Sequence, residues 1–259
     1  VTEMITGIDL AAWQLRIAAG EAINFAQNAV QCQGHAIEAR VAAENPALNY
    51  QPETGQITQY EEPAGLRIDS GITRGSTISP YYDSMLAKAI AYADDRTVAI
   101  RKLQQGLNDY RIGGIGHNLG FLVDVLALPA FQTGEHLTST LTQAWPQGWS
   151  APELTDRDYA HAALARHLDI QKQRSGSSSP WHSLGAWRLG ENIGGFASTT
   201  WHVQNDTGDV FEVAAQGRAG SYAVIMSSSV VLDAQDVRYE NGQLTYKEDA
   251  VNRQLAVSV

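Results

Sequence analysis

Two kinds of hydrophobic spacing alternate along the chain, and the change from one to the other divides it. In the first part, helical and strand periods are interleaved. Leu10, Trp13 and Ile17 fall on one face of a helix predicted over residues 9–19, with Asp9 as its cap and Gly20 as its stop. Residues 35–41 alternate instead, with Ile37 and Val41 on one face and Ala36, Glu38 and Arg40 on the other, the pattern of a half-buried strand. Short strands are predicted at 57–60 and 66–68 inside a region punctuated by proline and glycine. Residues 84–92 fit a strand or a helix by period alone. A helix over 95–110 carries Ile100, Leu103, Leu107 and Tyr110 on one stripe, and another from Asn118 carries Leu119, Leu122 and Leu126 and ends before Pro129.

The character changes near Trp145-Pro146-Gln147-Gly148-Trp149. Thr155-x-x-Asp158 has the form of a capping box and opens a helix of about five turns over 156–174, apolar at Ala160, Leu164 and Leu168. Ser175-Gly176-Ser177-Ser178-Ser179-Pro180 follows, as a flexible linker or as a loop held by its neighbours. Beyond Trp187 the pattern is all β: 199–203, 210–213, 222–226, 230–232 and 254–259 are rich in β-branched and aromatic residues. Asn241-Gly242, between two such runs, supplies the positive-φ pair of a type I′ hairpin turn. The expected fold class is therefore α+β, with a first domain over 1–145 and a second over 146–259 in which a long helix precedes an antiparallel barrel or sandwich at 186–259.

Composition narrows the function classes. The net charge of -10 argues against nucleic acid and anionic membrane as partners, because both need a basic face. Cys32 is the one cysteine, so neither an internal disulfide nor a cysteine metal site can form within the chain. No run approaches the roughly 18 apolar residues of a membrane span.

The run Gly34-His35-Ala36-Ile37-Glu38-Ala39-Arg40-Val41-Ala42-Ala43-Glu44-Asn45-Pro46 resembles the GHA-x-E-x-R-x-x-AE-[DN]-P signature of biotin carboxylases. Val1-Thr2-Glu3-Met4-Ile5-Thr6-Gly7, Pro80-Tyr81-Tyr82-Asp83-Ser84-Met85-Leu86-Ala87-Lys88 and Gly116-His117-Asn118-Leu119 extend the resemblance to the C-terminal domain of that family as far as Leu141. It implies that 84–92 is a strand. It also implies that the family's ATP-grasp and bicarbonate residues lie upstream of Val1, so that the chain is expected to be a piece of a larger subunit. Two departures stand out: Gly55-Gln56-Ile57 replaces the family's G-K-I, and Pro63-Ala64-Gly65-Leu66-Arg67 shortens its P-G-G-x-G-V-R. The shortened loop puts the family's homodimer contact in question. The His117-Asn118 segment and 143–149 lean toward propionyl-CoA carboxylase α subunits, with methylcrotonyl-CoA or geranyl-CoA carboxylase as alternatives. That class implies a second domain, a long helix surrounded by an antiparallel barrel, which contacts the carboxyltransferase β subunit. It also implies a biotin carboxyl carrier domain in the parent chain; no A-M-K-M motif, and hence no biotinyl lysine, occurs here. The parent is expected to use ATP, Mg2+, bicarbonate and biotin, none of them tightly bound by this stretch alone, in the cytoplasm or the mitochondrial matrix.

Arg40 matches the family arginine that stabilises negative charge on the biotin ureido oxygen, an oxyanion-hole role suited to a fixed guanidinium. The plainer alternative pairs it with Glu38 or Glu44. Glu38 is expected to orient Arg40 or pack against it. Asp83 reads either as a turn aspartate or as a neighbour of biotin, and Glu3 faces the site only by inference from the family. No G-x-S-x-G elbow supports hydrolase chemistry, Gly113-Gly114-Ile115-Gly116 reads as a helix-terminating loop, and the seven histidines show no metal-ligand spacing. Trp181, Trp187 and Trp201 read as core or as interface anchors; Trp181 and His182, in the polar loop after Pro180, are the expected subunit contacts.

Overall fold

The computed structural model describes residues 1–175, 198–204, 208–218, 220–240 and 242–257. The chain divides into two compact units, Val1–Ala151 and Pro152–Val259; the sequence expectation put the division after residue 145. Trp181, His182, Trp187, the linker after Ser175 and Asn241 lie outside the described residues.

The first unit opens with helices α1 (Thr2–Thr6) and α2 (Leu10–Ala18). The Asp9 carboxylate accepts from the Ala12 N–H and caps α2 as expected, but the apolar stripe of that helix buries nothing, and Leu15 is 73% exposed. Strands then run β1 (His35–Ala42), β2 (Glu44–Asn45), β3 (Gln51–Pro52), β4 (Gly55–Gln56), β5 (Gln59–Glu61), β6 (Arg67–Ser70), β7 (Thr77–Ile78) and β8 (Met85–Ala93). After them come α3 (Arg96–Asp109), β9 (Arg111–Gly113), α4 (Leu119–Ala127), α5 (Pro129–Thr133) and α6 (Thr140–Ala144). The main sheet is antiparallel in the order β1-β8-β6, while β2-β3, β4-β7 and β5-β9 form three small ladders.

Burial follows the predicted alternation of β1. Ile37, Ala39 and Val41 point into the core, and Glu38 and Arg40 are exposed. Small side chains dominate the sheet's inner face: Ala39 pairs with Ala89 and Val41 with Ala87. Ala99, Ile100, Leu103 and Leu107 of α3 are buried in the same cluster. Alanines at the contact let a helix and a sheet approach closely and leave few voids. Asp95, where the sequence placed the start of α3, is its cap and accepts from the Val98 N–H. Two expectations need correction. The strand placed at 57–60 is β5, two residues later, with Ile57 buried just outside it. The glycine run 113–116 does not terminate a helix, because α3 ends at Asp109 and the run leaves β9. Gly114 sits there at φ 99°, where an added Cβ would lie 2.2 Å from the Gln56 carbonyl oxygen, so the close passage of two backbones demands glycine.

The second unit is built on α7 (Asp156–Ser175). The Thr155 N–H and hydroxyl both donate to the Asp158 carboxylate, at 2.8 and 2.6 Å, which holds that carboxyl below its usual range. Strands β10 (Ser198–Gln204), β11 (Val210–Arg218), β12 (Ser221–Met226), β13 (Ser229–Glu240), β14 (Gln243–Glu248) and β15 (Val251–Ala256) follow. Each pairs antiparallel with its sequence neighbour, in the order β10-β11-β12-β13-β14-β15. Helix α7 packs on β10, β11, β12 and β13. Tyr159, Ala160, Ala163 and Leu164 share one core with Val213, Val224, Leu232 and Leu244, and Leu168 packs against it. A long helix packed on antiparallel strands is thus present, and the described strands form an ordered meander. Trp201 is half-buried against the same core.

Candidate functional site

Arg40 lies on the outward face of β1, near its C-terminal end. Lys88 of β8 stands directly across from it, and Asp69 of β6 stands across from Lys88. Directly opposed residues of antiparallel strands project to the same face, so two cations are neighbours on this surface, an arrangement that costs stability rather than adding to it. The Arg40 side chain is exposed, and its Nε donates to the Met85 sulfur at 3.4 Å. Among the described residues no carboxylate comes within ion-pair distance of Arg40. The Glu38 carboxylate lies 3.8 Å from the Val1 terminal nitrogen, and Glu44 accepts from the Ser84 hydroxyl. The simple pairings of Arg40 with Glu38 or Glu44 are therefore not formed, and the guanidinium keeps donors to spare.

Asp83 takes the turn position: its carboxylate accepts from the Met85 N–H at 2.8 Å and so fixes the residue whose sulfur touches Arg40. Glu3 is committed elsewhere. It accepts from Arg67 at 2.6 Å and from the Leu10 N–H at 2.9 Å, and these bonds lower its pKa, that from Arg67 foremost. Arg67 also binds Asp69 through Nε and Nη2. A planar fork held by two carboxylates is a fixed structural group.

Asn118 was anticipated only as a helix start. It is buried, and its side-chain oxygen accepts from the Ala42 N–H at 2.9 Å while its Nδ2 donates to the Arg40 carbonyl at 3.2 Å. Its own N–H donates to the Ala42 carbonyl. His117 beside it binds the Ile112 carbonyl through Nε2, and burial pushes its pKa down. Phe121, on α4, packs against Tyr50, Trp145 and Trp149. Those three rings line a cleft of about 380 Å3 in the first unit.

In the second unit, polar side chains of α7 bond to the strands. His161 shares a 2.9 Å hydrogen bond with the Tyr246 hydroxyl, which also receives an Arg157 N–H. Arg157 in turn pairs with Glu248. Burial, and then the Arg157 charge, lower the His161 pKa. The Gln171 amide N–H donates to His167 Nε2 at 2.8 Å, and Gln171 Oε1 accepts from the Tyr222 hydroxyl. His161 and His167 therefore serve two separate helix-to-sheet contacts. Among the described residues no three His, Cys, Asp or Glu side chains converge as a metal site. The spare donors of Arg40 do fit a ureido oxygen or another oxyanion.

Residues 38–143 match the biotin carboxylase C-terminal domain, and residues 155–259 match the BT domain of the methylcrotonyl-CoA carboxylase α subunit. The chain thus carries a biotin carboxylase C-terminal domain and a BT domain, and its homologues are methylcrotonyl-CoA and propionyl-CoA carboxylase α subunits and biotin carboxylases. It is similar to the mitochondrial methylcrotonoyl-CoA carboxylase subunit α of Mus musculus, 33% identical over 97% of this chain and 36% of the relative. It is similar also to the mitochondrial propionyl-CoA carboxylase α chain of Homo sapiens, 34% identical over 84% of this chain and 31% of the relative. The chain thus spans about a third of the length of these relatives. The biotin carboxylase domain of Hydrogenobacter thermophilus 2-oxoglutarate carboxylase, solved with MgADP, ADP and bicarbonate, superposes with a TM-score of 0.56. That match covers 59% of this chain and 34% of the solved one at 35% identity. Among the described residues no helix is long and apolar enough to cross a membrane.

Proposed function

We propose that the protein containing this chain carboxylates biotin with bicarbonate and ATP and passes the carboxyl group to an acyl-CoA on a carboxyltransferase β subunit. Arg40 is the residue of this chain that acts in the chemistry. As biotin N1 attacks CO2, negative charge gathers on the ureido oxygen, and a guanidinium beside that oxygen stabilises the charge. The observation that carries this reading is an exposed arginine on a sheet face, inside the matched domain, with no carboxylate partner among the described residues. ATP and Mg2+, when bound, supply the activation of bicarbonate. Asp83 and Met85 help to hold Arg40 in place, and Glu38 borders the same face.

The second unit is read as the docking domain, its six strands curling round α7 as a barrel, with 1–145 and 146–259 as the functional division. Trp181 and His182 are the proposed contacts to the β subunit, and the biotin carboxyl carrier domain is the other partner. The acyl acceptor is of the propionyl or methylcrotonyl type. The sequence lean toward propionyl is balanced by the BT match, and the two sets of relatives stand at 33% and 34% identity.

One reconstitution tests both parts. A complete α subunit carrying Arg40→Ala should assemble with its β subunit and melt normally, yet lose about 3 kcal/mol of transition-state stabilisation, as when an oxyanion donor is removed. Arg40→Lys should not rescue turnover, because an ammonium cannot reproduce the planar fork. A subunit lacking residues 156–259 should fail to capture β. Normal turnover by the alanine variant would remove Arg40 from the chemistry, and capture by the deletion would remove the docking role.

A further inference from the structure

We propose that Asn118 is a positioning residue for Arg40, acting as a side-chain stand-in for a missing strand. The inference rests on the catalytic reading of Arg40 given above. In the order β1-β8-β6, β1 is an edge strand, and its second row of backbone groups has no strand partner. At the stretch that carries Arg40, the Asn118 amide fills that row: it donates to the Arg40 carbonyl and accepts from the Ala42 N–H. Bonds to the carbonyl of one residue and the N–H of the residue two further on are what the N–H and C=O of one residue of a neighbouring parallel strand would make across Val41. The Asn118 backbone N–H adds a third bond, to the Ala42 carbonyl.

The placement matters because β1 is least regular at this point. Its pairing with β8 shifts register between Val41 and Ala42, so that Ala42 stands opposite Met85 and Leu86 is skipped. Irregular pairing bends a strand and re-aims its side chains. Without a clamp on the other edge, the Arg40 backbone would be held on one side only, next to the irregularity. Asn118 closes that side, and it does so from the rigid start of α4, where it is the N-cap and makes no side-chain cap bond to its own helix. A residue type favoured for capping has here turned its amide away from the helix and onto β1.

The conservative variant is Asn118→Asp. It keeps the shape and the acceptor to Ala42 but replaces the donor to the Arg40 carbonyl by a second oxygen. In the complete subunit, turnover should fall at least tenfold with the bicarbonate KM changed less than twofold. In an Arg40→Ala background the same replacement should change turnover less than twofold, since the clamp then has nothing to aim. An equal loss in both backgrounds, or no loss in either, overturns the proposal. A second measurement needs no activity. In this chain, 15N relaxation of the Arg40 Nε–H should show that group ordered in the parent and mobile in Asn118→Asp, with Arg67 unchanged. An Arg40 Nε–H equally ordered in both also overturns the proposal. If Arg40→Ala itself keeps normal turnover, the catalytic reading fails while the relaxation result still decides the clamp.

Discussion

The two units treat polar groups in opposite ways. In the first, the core under the main sheet is built largely of small aliphatic residues, with Ala39, Ala87, Ala89, Ala91 and Ala99 at its centre, and the charged side chains Glu38 and Arg40 stand on the outer face of the sheet. In the second, hydrogen bonds run through the protected region, from Arg157, His161 and Gln171 of α7 to Tyr246, Glu248 and Tyr222 of the strands. Close-packed alanines fix one distance between a helix and a sheet. A long helix lying on a sheet can slide or rotate over its strands, and directional bonds specify one seating at the risk of leaving an unmet partner.

The largest effect should separate the units outright. Leu164 is fully buried against the strands, and Leu164→Ala should cost the second unit about 3 kcal/mol, within the range of buried leucine truncations. Denaturant titration followed by Trp201 fluorescence should show that loss, while amide exchange around Leu103 in the first unit stays protected. Equal loosening of both would mean that they unfold as one.

A smaller effect should depend on pH. Because the folded form lowers the His161 pKa, the unfolded chain binds the proton first as pH falls below the ordinary imidazole value of about 6.5. Stability of the second unit should be full above that value and decline as pH drops toward the lowered folded value. His161→Gln should flatten the decline there and leave the similar decline from His117 in the first unit. Unfolding midpoints at pH 7.5 and 5.5 would check this, and an unchanged slope in the variant would free His161 of it. The smallest effect belongs to the surface: Lys247→Ala breaks an exposed pair with Asp236 and should leave the midpoint of the same titration nearly unchanged.

Elements with strong local signals were legible in the sequence. The cap at Asp9, the alternation of β1, the stripe of α3 and the extent of α7 are local properties, and they stand where the pattern put them. The two-residue ladders were not, since such pairings follow from chain crossings rather than from periodicity. The histidines carried no metal-ligand spacing, and nothing local showed that His161 and His167 are buried where α7 packs on its strands. Arg40 was legible through its motif. The clamp by Asn118 joins residues 78 positions apart, and nothing in either segment alone announces it.

The strand order of the second unit bears on how it is made. During synthesis α7 leaves the ribosome before any strand that will cover Ala160 and Leu164, so its apolar side first meets water or a chaperone rather than its sheet. Since every described strand then pairs with the one just before it, each newly emerged segment finds a template already in place. Closing such short loops in turn is entropically mild, and it lets wrapping keep pace with translation instead of waiting for the chain to finish.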